Sequence, residues 1–219
     1  MTSDVPGEYP DGAPGAGAAG DRDALWRIMA TRRDHRHFRP DPVPRETVER
    51  LLSVFELAPS VGLSQPWHVT VITDPALKRE VRESFADVRE RERERFSGGR
   101  RELYDSLTLE AIETAPVGLV VSFVPPDGAT LGTTSMPAAL EYSVVCAIAH
   151  LWLAVTAEGL GMGWVSLVDP ERVAATVPVP EGARPLAYLC IGTPARQLAE
   201  PLLHTVGWKR RQNVDVTWR

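Results

Sequence analysis

The sequence lacks most of the marks by which a function is usually read. It has only two cysteines in 219 residues, Cys146 and Cys190. Both sit in apolar runs, so buried free thiols are expected rather than a disulfide framework or a thiolate metal site. No histidine pair stands at metal-ligand spacing, no phosphate-binding P-loop is present, and no glycine-rich fingerprint follows a strand pattern. The glycines from Gly159 to Gly163 come after a helical pattern instead of opening one. Positive charge is not in excess: the net charge is −5, which argues against a nucleic-acid binder. No apolar run is read as long enough to cross a membrane, and no basic segment leads into an apolar one at the N-terminus. A cytoplasmic protein is the expectation. Internal repeats are absent, and biased composition is confined to the Gly-, Pro- and Ala-rich residues 1–20, expected to be a disordered tail. That leaves residues 21–219 as a single domain.

What is present begins with Thr31-Arg32-Arg33-Asp34-His35-Arg36-His37-Phe38-Arg39-Pro40, which places four arginines, two histidines and one acid in ten residues. Guanidinium groups suit a phosphate, since they stay charged and offer forked donors to its oxygens. The same cluster also suits a plain basic helix end, where cations complement the helix dipole. Before it, Asp21 can cap a helix carrying Leu25, Trp26, Ile28 and Met29. After it, Asp41-Pro42-Val43-Pro44 forms a rigid connector.

The remaining pattern alternates helices and strands. Val48, Leu51, Leu52 and Phe55 predict a helix over residues 45–57, and Val69, Val71 and Ile72 a strand. Asp74-Pro75 opens a helix that runs into Arg89-Glu90-Arg91-Glu92-Arg93-Glu94-Arg95. Such near-balanced alternation suits a solvated, salt-bridged surface helix, ended by Gly98-Gly99, which could hinge a lid. The apolar run 117–124 reads as a strand of a sheet covered on both faces. Ser135 is expected to cap the longest helix, running to about Glu158 and stopped by Gly159. Its apolar residues cover more than one face, which predicts a buried central helix partly shared with a second subunit. Strands at 163–168 and 186–191 flank a short helix at 170–177, and residues 207–211 add a second basic cluster. The expected class is α/β or α+β: a mixed β-sheet flanked by helices with a long buried central helix.

Two stretches carry a resemblance. Arg32-Arg33-Asp34-x-Arg36-x-Phe38-Arg39-Pro40 and Ala58-Pro59-Ser60-x-Gly62-x-x-Gln65-Pro66-Trp67 resemble the motifs of the nitroreductase-like flavoproteins. Residues 91–100, Tyr104-Asp105-Ser106-Leu107, 110–119, Gly163-Trp164-Val165-Ser166 and Gly207-Trp208 are similar to one branch of them, the BluB-type 5,6-dimethylbenzimidazole synthases. The resemblance spans residues 22–211. It implies the α+β nitroreductase-like fold and a homodimer with FMN at the subunit interface. It further implies a reaction with O2 that consumes reduced FMN, yielding 5,6-dimethylbenzimidazole, the cobalamin lower ligand, and erythrose 4-phosphate. A separate NAD(P)H-dependent flavin reductase would supply the reduced FMN. By the same resemblance Asp34 and Ser166 act beside the reactive part of the flavin. Arg32, Arg33, His35, Arg36, Ser60, Gly62, Ser97, Val165, Leu167 and Arg210 (or Arg211) would bind it. An acid and a hydroxyl are the residue types that relay protons. An ordinary NAD(P)H-dependent nitroreductase that keeps its FMN is the competing reading, and a flavin-storage protein a third.

Overall fold

A computed structural model describes residues 19–219. Residues 1–18, which make up most of the expected tail, lie outside the described residues, while Ala19 and Gly20 open the first helix. The elements are α1 (Ala19–Thr31), α2 (Arg45–Leu52), α3 (Val54–Leu57), a 3-10 turn (Val61–Leu63), β1 (Trp67–Ile72), α4 (Pro75–Arg93), α5 (Gly98–Ser106), α6 (Ala111–Thr114), β2 (Val117–Phe123), α7 (Ala139–Ala157), β3 (Gly161–Val165), α8 (Pro170–Thr176), β4 (Arg184–Gly192) and α9 (Leu202–Thr205). The four strands form one sheet in the order β1-β2-β4-β3. All three ladders are antiparallel. The parallel component is a single bridge between Asp34 and Met162, which brings the basic segment onto the edge of β3.

Strand periodicity divides the core into two layers. Val117, Leu119 and Val121 of β2, with Ala187, Leu189 and Ile191 of β4, face Leu51, Phe55, Ile148 and Leu151. The intervening Val120, Tyr188 and Cys190 face Val81, Phe85, Ile112 and Val173 on the other side. Successive side chains of a strand point to opposite faces, so a run buried at nearly every position needs helices on both. The expectation for residues 117–124 is met in this way.

Several local expectations are corrected. The helix over 45–57 is two helices, divided at Ser53, whose hydroxyl bonds back to Arg50 O at 2.8 Å. The long helix begins at Ala139, not at Ser135, and its N-cap Ala138 offers no side chain to cap it. Its stripe of Ser143, Val144, Ala147, Ile148, Leu151 and Val155 is buried, while Tyr142, Val145 and Cys146 are exposed. Cys146 is therefore not the buried thiol expected; Cys190 is. Nor is the chain without an apolar run of membrane length: α7 has 19 residues with a mean hydropathy of 1.5. It packs its buried stripe on the sheet as a core helix.

One contact in this architecture has no room for adjustment. A Cβ placed on Gly163 would overlap the carbonyl oxygen of His35, which is backbone and cannot rotate away. Gly163→Ala is expected to destabilise the protein by about 1–3 kcal/mol, the usual range for overpacking. Urea unfolding of the variant measures this, and a midpoint equal to wild type would show that the two segments can separate freely.

Candidate functional site

The basic segment leaves α1 and runs as an irregular strand between β3 and the chain after β4. His35 N donates to Met162 O at 3.0 Å, Arg39 N to Thr193 O at 2.8 Å, and Ala195 N to His37 O at 3.0 Å. Glycine makes this approach possible, because a Cβ on Gly161 would stand 2.8 Å from His35 Cδ2. The ring of His35 is buried, edge-on to Phe38 at 6.3 Å. Burial, reinforced by Arg33 and Arg32, holds its pKa below the ordinary value, so the ring is neutral near pH 7.

Each arginine has its own setting. Arg33 donates from Nη1 to Ala30 O at 2.7 Å and Arg32 O at 2.8 Å, and from Nη2 to Ala199 O. It closes the end of α1 and ties it to the C-terminal part of the chain. Its own carbonyl accepts from Trp152 Nε1 of α7 at 3.2 Å. The Arg32 guanidinium stacks 4.7 Å from the Trp152 ring centroid. The Arg36 guanidinium is half-buried and donates no hydrogen bond within the described residues. Desolvation lowers its pKa, partly offset by Asp34, and Arg89 adds a like charge nearby. A cation held partly out of water without a partner is poised for an anion.

Asp34 is turned toward β3, where its Oδ1 accepts the backbone N–H of Trp164 at 3.1 Å. It forms no ion pair with Arg33 or Arg36 among the described residues. The carboxyl sits in a recess crowded by protein, although water still reaches it in the single chain. Crowding raises its pKa; the Trp164 amide, Arg36 and Arg32 pull the other way and are outweighed. Ser166 follows β3 directly, exposed, and its hydroxyl makes no hydrogen bond within the described residues.

Asp34, His35, Arg36, Val165, Ser166 and Leu167 line one cavity of about 80 Å³, walled also by Phe85, Arg89 and Leu109. A second, of about 210 Å³, begins on the far side of Trp164, Val165 and Ser166. A third, basic one of about 120 Å³ lies between Arg32, Arg33, Asp34 and Arg36 and residues 201–203. The largest recess, about 770 Å³, is an open groove between α4 and α8; it adjoins the first cavity at Leu167 and contains neither Asp34 nor Ser166. Small-molecule pockets usually measure about 300–1,000 Å³. The two of these cavities that Asp34 lines are each smaller than that. The first cavity sets arginines, Arg36 and Arg89, beside the apolar Val165 and Leu167, and the third adds Arg32 and Arg33, residue types that suit an anion and a flat ring.

Sequence reasoning placed eight of its candidates together: Arg32, Arg33, Asp34, His35, Arg36, Val165, Ser166 and Leu167. Four lie apart from these cavities. Ser60 and Gly62 belong to a loop ahead of β1 that packs on α7, with Val61 N donating to Ser143 Oγ at 3.0 Å. Gly62 has φ +58° and would place a Cβ 2.8 Å from Leu131 O. Leu63 and Gln65 share the left-handed conformation (φ 52° and 42°), and strain of that kind gathers at functional loops. Ser97 precedes α5 without capping it, and Arg210 is exposed in the irregular C-terminal stretch. Arg89 was missed. It stands in a charge run, and nothing in that alternation sets apart the one arginine that turns inward.

The chain belongs to the nitroreductase family, whose model matches residues 29–193. Within the family it is similar to the 5,6-dimethylbenzimidazole synthases. It is 41% identical to that of Rhodobacter capsulatus across 90% of this chain and 95% of the relative. It is 42% identical to that of Rhodospirillum rubrum, with the same coverage of both chains. Among solved structures it resembles an oxidised iodotyrosine deiodinase bound to FMN and 3-iodo-L-tyrosine, with a TM-score of 0.71 and 25% identity over 89% of this chain and 98% of that one.

The raised pKa of Asp34 has a thermodynamic consequence. Its proton is held more tightly in the fold than in the unfolded chain. The stability this contributes is present below pH 3.8 and is lost as pH rises through the folded-state value. Asp34→Asn keeps an acceptor for Trp164 without an ionisable group. The variant is expected to unfold at higher urea than wild type at pH 7, with the gain shrinking toward pH 4. A gain independent of pH would assign the effect to something other than ionisation.

Proposed function

We propose that this protein is a 5,6-dimethylbenzimidazole synthase, converting reduced FMN and O2 into 5,6-dimethylbenzimidazole and erythrose 4-phosphate. The observation that carries the reading is the meeting of one carboxyl whose pKa is raised, Asp34, and one unengaged hydroxyl, Ser166, on a single cavity beside the unpartnered guanidinium of Arg36. Similarity to two synthases over nearly their whole length supports it. Bound reduced FMN supplies the electrons for O2 and the dimethylbenzene ring of the product.

The chain's residues would divide the work as follows. Arg32 and Arg36 hold the phosphate and polar edge of the nucleotide, with Arg210 or Arg211 closing from the C-terminal side. Arg33, engaged with three carbonyls, fixes the segment's path. Val165 and Leu167 offer an apolar bed for the ring. Asp34 takes up and returns protons, and crowding, which raises its pKa above the usual carboxylate value, favours its protonated form. Ser166 both donates and accepts, passing the proton onward. The segment around Ser97, which lies apart from these cavities in the single chain, would close over the bound flavin and keep bulk water out.

A second copy of the chain would complete the site. Trp26, Met29, Tyr142 and Val145 are exposed on α1 and α7, and so is Leu63 in the strained loop. These side chains would be covered in the interface of such a dimer. In a homodimer the Ser60–Gly62 loop of one subunit would lie over the cavity of the other. Residues 21–219 would act as one FMN-binding domain in the cytoplasm, with a separate NAD(P)H-dependent reductase supplying reduced flavin.

Incubation with reduced FMN in air tests the reading. Wild type is expected to release 5,6-dimethylbenzimidazole as flavin absorbance is lost. Asp34→Asn and Ser166→Ala should fold normally and lower the yield by about 10²-fold or more, the lower range for removing a proton-transfer group. Recovery of all FMN intact, with rapid NAD(P)H consumption, would point instead to an ordinary nitroreductase.

A further inference from the structure

The C-terminal segment grips α5 at one place. The Arg100 guanidinium carbon lies 3.5 Å from the centroid of the Trp208 ring, and Arg100 Nη1 donates to Trp208 O at 2.9 Å. The same indole meets Phe96 edge-on at 5.2 Å and Tyr104 at 6.3 Å, while Phe96 and Tyr104 are 5.0 Å apart. Of the residues of α5 only Tyr104 is buried, so the helix has little core of its own. Gly98, at φ +53°, starts it in a backbone conformation suited to a hinge.

From Tyr104 the contacts lead to the Asp34 cavity. The Arg89 guanidinium lies 5.0 Å from the Tyr104 ring centroid. It donates from Nη1 to Leu107 O at 2.6 Å, and from Nη2 to Tyr104 O at 3.2 Å and Asp105 O at 3.3 Å. These carbonyls end α5, and Arg89 lines the cavity with Asp34, Arg36 and Ser166. If α5 swings out, Arg89 loses every acceptor that orients it.

We propose that Trp208 is a positioning residue: clasped by Arg100, Phe96 and Tyr104, it latches α5 shut and thereby holds Arg89 in the wall of the reaction cavity. The consequence for chemistry rests on the synthase reading above. With the latch open, O2 would take two electrons and two protons from reduced FMN, giving oxidised FMN and hydrogen peroxide in place of benzimidazole.

The latch is tested on the full chain without flavin, by limited trypsin digestion at Arg95 and Arg101. Trp208→Ala is expected to be cut about tenfold faster than wild type, since cation–π and aromatic contacts of this kind shift local opening by about that factor. Trp208→Phe, which keeps the stacking, should stay near the wild-type rate. Arg100→Gln removes the clasp from the solvent side without disturbing the core and should resemble the alanine variant at Arg95. With reduced FMN and air, Trp208→Ala should shift products toward hydrogen peroxide with little change in KM, and the phenylalanine variant should restore the partition. Wild-type cleavage rates in both Trp208→Ala and Arg100→Gln would overturn the latch. Faster cleavage with an unchanged product partition would overturn the positioning role. Should wild type itself make no benzimidazole, the synthase reading fails, and the digestion still decides the latch.

Discussion

The site depends on one backbone contact, the docking of residues 34–36 along the edge of β3. His35 N reaches Met162 O, and in the same stretch the Trp164 amide reaches back to the carboxyl of Asp34. The two segments can lie this close only because position 163 carries no side chain. Backbone donors and acceptors point in fixed directions, so the pairing sets where Asp34 faces more firmly than any side-chain contact could. Everything chemical follows from that placement. Asp34 is drawn into a crowded recess beside Arg36, Ser166 emerges two residues beyond Trp164, and Trp152 fastens the segment from behind.

Two opposing electrostatic effects then meet at Asp34. Arginines and an amide favour its charged form, while crowding disfavours it, and crowding prevails. A carboxyl surrounded by cations would ordinarily be locked as an anion. Here it keeps a proton more readily than a free aspartate. Burial, aided by Arg33 and Arg32, depresses the pKa of His35. The segment thus holds a neutral histidine, a proton-binding acid and at least one half-buried cation within three residues.

Much of this was legible in the sequence. The arginine cluster, the Gly163-Trp164-Val165-Ser166 stretch and the fully apolar run of β2 each pointed to what the structure contains. Periodicity located the longer helices and all four strands, because strand alternation and helical spacing are written directly in side-chain polarity, but not the shorter helices α5, α6 and α9. Other features could not be read. Spacing distinguishes neither Arg33, spent on carbonyls at the end of α1, from Arg36, which is free, nor Arg89 from its exposed neighbours in α4. The start of α7 was misplaced because a capping residue in sequence is only an opportunity, and the chain around Ser135 remains irregular. The exposed face of α7 was anticipated, yet Cys146 was taken to be inside, since an apolar run does not say which of its sides is covered. Ser60 and Gly62 match a motif but line neither of the cavities that Asp34 and its arginines line.

A crystal structure of the protein with FMN bound would test the central claim most directly. The account predicts that the flavin ring lies against residues 163–167, with Asp34 still held by the Trp164 amide and both Asp34 and Ser166 within hydrogen-bonding reach of the ring's polar edge. A flavin seated in the open groove between α4 and α8, or an Asp34 released from Trp164 and paired instead with an arginine, would contradict it.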